Sequence, residues 1–124
     1  MSRFTKFTAY MPLSDGKTWL LDKPLIYEIG NEGSGNFITV PAGFHTDFAS
    51  VPRLFRVFFS SWEKYGNAAV LHDWLYWRQN TSRKQADDIF YEAMGVLGAS
   101  YFTRHALYLA VRSFGWIAWR RNKF

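Results

Sequence analysis

The segment that decides the fold runs from residue 68 to residue 90, AAVLHDWLYWRQNTSRKQADDIF, and contains two helical patterns joined by a short polar turn. Apolar residues recur at helical spacing in its first part, and Ser82 and Gln85 have the spacing of a capping box at the start of the second. We therefore expect one helix over residues 66–76 and another over residues 82–97. The short connection predicts that the two helices run antiparallel.

His72 lies on the apolar stripe of the first helix, with Tyr76 one turn later on the same face. Asp87 shares the inward face of the second helix with Phe90. A buried imidazole needs a hydrogen-bond partner, so we expect His72, Tyr76 and Asp87 to point inward together. Held by a carboxylate through one nitrogen, His72 could take a proton from water as a general base. A purely structural role, in which the pair locks the helical hairpin, fits the same residues.

Two further carboxylates are candidate metal ligands. Asp73 directly follows His72 and is turned about 100° away from the apolar stripe. Asp47 lies in the loop over residues 43–53, GFHTDFASVPR, whose hydroxyl and carboxylate residues are equally typical of turns and helix caps. Oxygen ligands suit Ca²⁺ or Mg²⁺ better than zinc in a chain without cysteine.

Strand patterns precede this loop. Apolar and polar residues alternate over residues 4–9, and short apolar segments follow over residues 25–29 and 37–40. The connection over residues 30–36, GNEGSGN, contains three glycines and predicts a hairpin between the last two segments.

Helical patterns continue on both sides of the central pair. Residues 54–59 suit a short helix, and residues 102–119 suit a final one whose apolar stripe is formed by Leu107, Ala110, Val111, Phe114 and Ala118. The sequence thus predicts an α+β fold with a small antiparallel β-sheet. We expect a single domain over residues 1–124, with a β-rich part over 1–42, a loop over 43–53 and a helical part over 54–124.

Composition excludes several classes of protein. Of 124 residues, 48% are apolar and none is cysteine, so we expect a folded chain without disulfides, thiolate zinc sites or iron–sulfur clusters. The net charge of +5 is concentrated at the C-terminus, in Arg120, Arg121 and Lys123, which does not favour a broad nucleic-acid surface. With Trp116 and Trp119 beside them, these cations are typical of core packing, of a protein contact, or of an anchor on an anionic membrane surface.

Two features of the sequence concern export and membrane insertion. The first ten residues lack the apolar segment of a signal peptide. The longest apolar stretch, residues 106–119, falls short of the roughly 20 residues that a transmembrane helix needs. We expect neither a signal peptide nor a membrane span.

The segments GFHTDFASVPR, AAVLHDWLY, ADDIFYEAM and VRSFGW resemble a family of uncharacterised small proteins, a domain of unknown function found mainly in tailed phages and prophages. The resemblance covers residues 40–116. It implies a phage-encoded protein located in the virion or in the host cytoplasm, and it implies no activity.

A second, shorter resemblance suggests a mechanism. The pattern His72-Asp73-x-x-Tyr76, followed by Asp87-x-x-Phe90, is similar to the catalytic helices of secreted and parvoviral phospholipases of the A-two type. The resemblance implies that His72 is the base, Asp73 a calcium ligand, and Asp87 and Tyr76 supports of the base. The disulfides and the glycine-rich calcium loop of that family are absent from this sequence.

These observations leave two functional hypotheses. The first is a non-enzymatic phage protein that binds a virion or host protein and keeps the helical hairpin as a scaffold. The second is a divalent-metal-dependent lipid ester hydrolase of the phospholipase A-two type.

Overall fold

The computed structural model describes residues 3–6, 10–12, 19–21, 23–30, 33–46 and 62–121. The chain divides into two compact units, residues 1–47 and 48–124, and each is described by itself. The first contains strands and the second contains helices, which confirms the predicted α+β class. The prediction of a single domain stays a prediction.

The described part of the first unit forms two antiparallel three-stranded sheets, in the orders β1-β4-β5 and β2-β3-β6. The strands are β1 (Arg3–Lys6), β2 (Tyr10–Pro12), β3 (Trp19–Leu21), β4 (Leu25–Glu28), β5 (Phe37–Val40) and β6 (His45–Thr46).

The predicted hairpin joins β4 to β5, with Leu25 opposite Val40 and Glu28 opposite Phe37. Gly33 and Gly35 in its loop have φ angles of +91° and +79°, which glycine adopts without steric cost. Their backbone N–H groups donate to the two carboxylate oxygens of Glu28 at 3.0 and 3.1 Å. The buried side chain of Glu28 thereby satisfies two backbone donors of the loop.

The second unit is helical in its described part. The helices are α1 (Trp62–Arg78), α2 (Arg83–Val96), α3 (Tyr101–Phe114) and α4 (Trp116–Arg121). Helix α1 packs against α2, and α2 packs against α3. The short helix predicted over residues 54–59 lies outside the described residues, as does the loop from residue 47 onward.

Helix α2 begins as its sequence predicts. The Ser82 hydroxyl accepts from the Gln85 N–H at 3.1 Å, and the Gln85 side chain accepts from the Ser82 N–H at 3.0 Å, which completes the capping box. Gly98, with φ of +88°, follows the end of the helix. These two signals fix the length of α2 and therefore the position of Asp87.

The final helix differs from the prediction in two respects. Gly115 separates α3 from α4, so residues 102–119 are not one helix. Phe114, predicted as core, is 51% exposed, whereas Leu107, Ala110, Val111 and Ala118 are buried. The buried residue at this point of the chain is instead the neighbouring Gly115, which lies beside the side chains of Tyr76 and Arg83.

Within the described residues, no helix is both long enough and apolar enough to cross a membrane.

Candidate functional site

A buried hydrogen bond joins His72 on α1 to Asp87 on α2. The distance from His72 Nε2 to Asp87 Oδ1 is 2.6 Å, and neither side chain has any exposed surface. The Tyr76 hydroxyl donates to the same carboxylate oxygen at 2.7 Å. The predicted convergence of the three side chains is confirmed, while their catalytic roles stay predictions.

Two aromatic rings enclose the imidazole. The ring centroid of His72 lies 4.2 Å from that of Tyr76 and 4.7 Å from that of Phe90. All three residues are completely buried. The imidazole is thus held on one edge by a carboxylate and on its sides by rings from two helices, which leaves it little rotational freedom.

Two arginines, which sequence analysis did not predict, bind the other oxygen of the carboxylate. Arg112 on α3 donates from Nη1 to Asp87 Oδ2 at 2.9 Å. Nη1 of Arg83 lies 3.5 Å from the same atom. Asp87 is therefore the centre of a cluster, named here the Asp87 cluster, that comprises His72, Tyr76, Arg83, Asp87 and Arg112.

Arg83 also satisfies the end of α3. Its guanidinium donates to the backbone oxygens of Val111 at 2.9 Å and of Arg112 at 3.2 Å. The last carbonyl groups of a helix have no partner within the helix and carry partial negative charge, so a cation there is favourable. The Asp87 cluster thus connects side chains of α1, α2 and α3 with the C-terminal backbone of α3.

Two groups in the cluster have shifted pKa values. Burial raises the pKa of Asp87, but the hydrogen bond and electrostatic attraction of His72, followed by the hydrogen bonds of Tyr76 and Arg112, outweigh it. The pKa of Asp87 therefore lies below its usual value, and the carboxylate is charged. Burial, and then the hydrogen bond to Asp87, raise the pKa of Tyr76 well above its usual range. Tyr76 is therefore a neutral donor.

We expect the free energy of unfolding to fall as pH is lowered below about 5. A carboxyl whose folded-state pKa is lowered contributes stability that is complete above its unfolded pKa, about 3.9, and is lost as pH falls through the folded value. Urea denaturation at several pH values measures this slope. The variant Asp87→Asn should show a flatter slope than the parent protein, and an equal slope would mean that another carboxyl is responsible.

Asp73 is buried as well as His72. Its side chain is only 8% exposed, although helical spacing turns it away from the stripe of His72. The reason is that α1 is covered on more than one side: Trp74 apart, every residue from 66 to 76 is buried.

The predicted metal site has no support in the described residues. Among them, no three His, Asp or Glu side chains lie close enough together to hold a metal ion. Asp47 is outside the described residues. The pairing of Asp73 with Asp47 around Ca²⁺ or Mg²⁺ therefore stays a prediction.

Asp88, the neighbour of Asp87, has the opposite environment. It lies on the exposed face of α2, where Lys84 donates to Oδ2 at 2.8 Å. The Tyr108 hydroxyl donates to Oδ1 at 2.7 Å. Two adjacent carboxylates thus provide an internal comparison between a buried and a solvated ion pair.

Comparison with known proteins identifies a family without an assigned activity. The sequence profile described as "Protein of unknown function (DUF1353)" matches residues 19–111. That range includes every member of the Asp87 cluster except Arg112, the residue that follows it.

The chain is also similar to the uncharacterized protein y4iH of Sinorhizobium fredii, with 39% identity over 72 residues. This match covers 56% of the chain and spans 30% of the length of the relative. No solved structure matches the chain.

Proposed function

From the premise that the chain belongs to the DUF1353 family, we propose that it is a phage-encoded, non-enzymatic protein that acts by binding a virion or host protein. The phage origin rests on the resemblance of the four sequence segments given above. The location that follows is the virion or the host cytoplasm. The non-enzymatic role rests on the Asp87 cluster.

The observation that carries this proposal is the number of donors on Asp87. In a catalytic pair, the charge of the carboxylate stabilises the imidazolium that forms when the histidine takes a proton. Here Arg83 and Arg112 compensate that charge on the second oxygen. Asp87 is thus bound on both carboxylate oxygens by side chains from three helices, which favours a structural role for the pair.

The burial of His72 supports the same conclusion. A general base must come within hydrogen-bond reach of the proton that it abstracts, directly or through one water. The imidazole has no exposed surface. Its contacts with Tyr76, Asp87 and Phe90 instead resemble those of a core residue that joins two helices.

A lipid ester hydrolase is the second candidate, and the geometry of the helical pair favours it. The imidazole and the tyrosine hydroxyl meet on one oxygen of Asp87, as the resemblance to phospholipases implies. In this alternative His72 is the base and Asp73 a ligand of Ca²⁺ or Mg²⁺.

An assay on anionic phospholipid vesicles with and without calcium distinguishes the two candidates. We expect no release of fatty acid and no change in melting temperature on addition of calcium, because the proposed role of the cluster is structural. The variant Asp73→Asn should behave like the parent in the assay. Calcium-dependent release that Asp73→Asn abolishes, with its circular dichroism spectrum intact, would overturn the proposal and establish the hydrolase.

A further inference from the structure

One face of α3 and α4 presents large apolar side chains to solvent. Phe102, Leu109 and Trp116 are 71%, 62% and 47% exposed, and they are seven residues apart. Residues at this spacing lie on one line of a helix. Ile117, also 48% exposed, lies beside the end of the line. These four residues are named here the apolar row.

The apolar row is continuous across the break between the two helices. Gly115 has helical φ and ψ angles of −63° and −20°. Its N–H donates to the Val111 oxygen at 2.8 Å, and the Trp119 N–H donates to the Gly115 oxygen at 3.0 Å. The direction of the chain is therefore kept from α3 to α4, and Trp116 follows Leu109 on the same side.

The residues between those of the apolar row on this face are His105, Ala106, Arg112 and Ser113, of which only Ser113 is exposed. Single exposed apolar residues are ordinary on a protein surface, but a contiguous row of large ones marks an interaction site.

Every charged side chain after Glu92 in the sequence is positive. No Asp or Glu follows Glu92 in the sequence, whereas Arg104, Arg112, Arg120, Arg121 and Lys123 do. Arg120 and Arg121 form the exposed last turn of α4, directly after the apolar row. This end of the chain therefore complements a negatively charged surface.

We propose that the apolar row and the last turn of α4 bind the surface of an anionic phospholipid membrane. Exposed Trp, Phe and Leu side chains beside arginines are the composition of helices that lie in the membrane interface. The rings and Leu109 would enter the boundary between headgroups and acyl chains, while Arg120 and Arg121 contact lipid phosphates. A second copy of the chain is a poorer partner, since both copies would bring the same positive charge to the contact. The inference goes beyond the proposed function, because a binding protein and a hydrolase could both carry such a surface.

Co-sedimentation with vesicles tests the proposal on the full chain. We expect binding to vesicles of phosphatidylcholine with phosphatidylglycerol at a ratio of three to one, weaker binding to pure phosphatidylcholine, and a decrease in high salt. The variant Leu109→Gln should lower the affinity about tenfold, because one leucine is no longer buried in lipid. The control Phe37→Gln changes an exposed aromatic residue of β5 and should bind like the parent.

A second pair of variants tests the contribution of positive charge to vesicle binding. Arg120→Gln with Arg121→Gln should lower the affinity for the mixed vesicles about fivefold per arginine. Lys23→Gln with Lys84→Gln removes the same charge from two exposed lysines elsewhere and should have a smaller effect.

Three results would overturn the membrane proposal. The first is no binding to the mixed vesicles, and the second is equal loss in the Leu109→Gln and Phe37→Gln variants. The third is concentration-dependent dimerisation in size-exclusion chromatography that Leu109→Gln abolishes while vesicle binding is unchanged, which would assign the apolar row to a second copy. Circular dichroism of each variant establishes that its fold is retained. Absence of vesicle binding would count against the membrane proposal and the hydrolase alternative but not against binding of a virion or host protein, so the two proposals fail independently.

Discussion

Replacing Asp87 by alanine is expected to lower the free energy of unfolding by about 3–5 kcal/mol. Among the described residues, the Asp87 carboxylate is the acceptor that joins His72, Tyr76 and Arg112. The change takes this acceptor away from two completely buried side chains, those of His72 and Tyr76. A buried donor that loses an acceptor costs desolvation free energy, whereas the partly exposed guanidinium of Arg112 can be hydrated. Urea denaturation followed by circular dichroism measures the change.

The neighbouring Asp88→Ala provides the control. It removes a carboxylate with an ion pair and a tyrosine hydrogen bond of similar length, but on the exposed face of the same helix. Exposed pairs contribute little, so the expected cost is below about 1 kcal/mol. Equal costs for the two variants would contradict a buried cluster.

Asp87→Asn should lower the free energy of unfolding by about 1–3 kcal/mol, a loss between those of Asp88→Ala and Asp87→Ala. Asparagine keeps an acceptor oxygen but removes the charge.

The pair of His72 and Asp87 could be predicted because short-range rules determine it. One apolar stripe places His72 and Tyr76 on the same face of α1, and a capping box fixes where α2 begins. A four-residue connection allows only an antiparallel return. These rules need no knowledge of the rest of the chain.

The arginines of the cluster could not be predicted in the same way. Arg83 lies one turn before Asp87, a spacing that was available as a signal, but surface pairs at this spacing are common and carry little information. Arg112 reaches Asp87 only through the packing of α3 on α2, which helical periodicity alone does not specify. The burial of Asp73 likewise depends on what covers α1, and no pattern in its own helix indicates this.

The requirement for glycine at position 115 has a tertiary cause that the sequence does not display. A Cβ built at Gly115 would overlap the backbone oxygen of Val111 and the hydroxyl of Tyr76. That hydroxyl cannot retreat without leaving Asp87, its acceptor at 2.7 Å. Glycine is therefore required here by the close approach of α1, and the backbone at this residue has ordinary helical angles.

Gly115→Ala is accordingly expected to lower the free energy of unfolding by about 1–3 kcal/mol, the usual cost of forcing extra volume into a packed site. Gly95→Ala in α2 is the matched control: the atoms nearest to the added Cβ all belong to the side chain of Arg104, whose flexible end can move aside. Because Gly95 lies within a helix, alanine there should be neutral or stabilise by up to about 1 kcal/mol. Urea denaturation of both variants measures the difference.

The substitution Tyr76→Phe is expected to lower the free energy of unfolding less in the Gly115→Ala variant than in the parent protein. In that variant the added methyl group has already displaced the tyrosine hydroxyl from Asp87. Similar effects of the two glycine substitutions would show that helix propensity, and not contact with the Asp87 cluster, determines the residue at position 115.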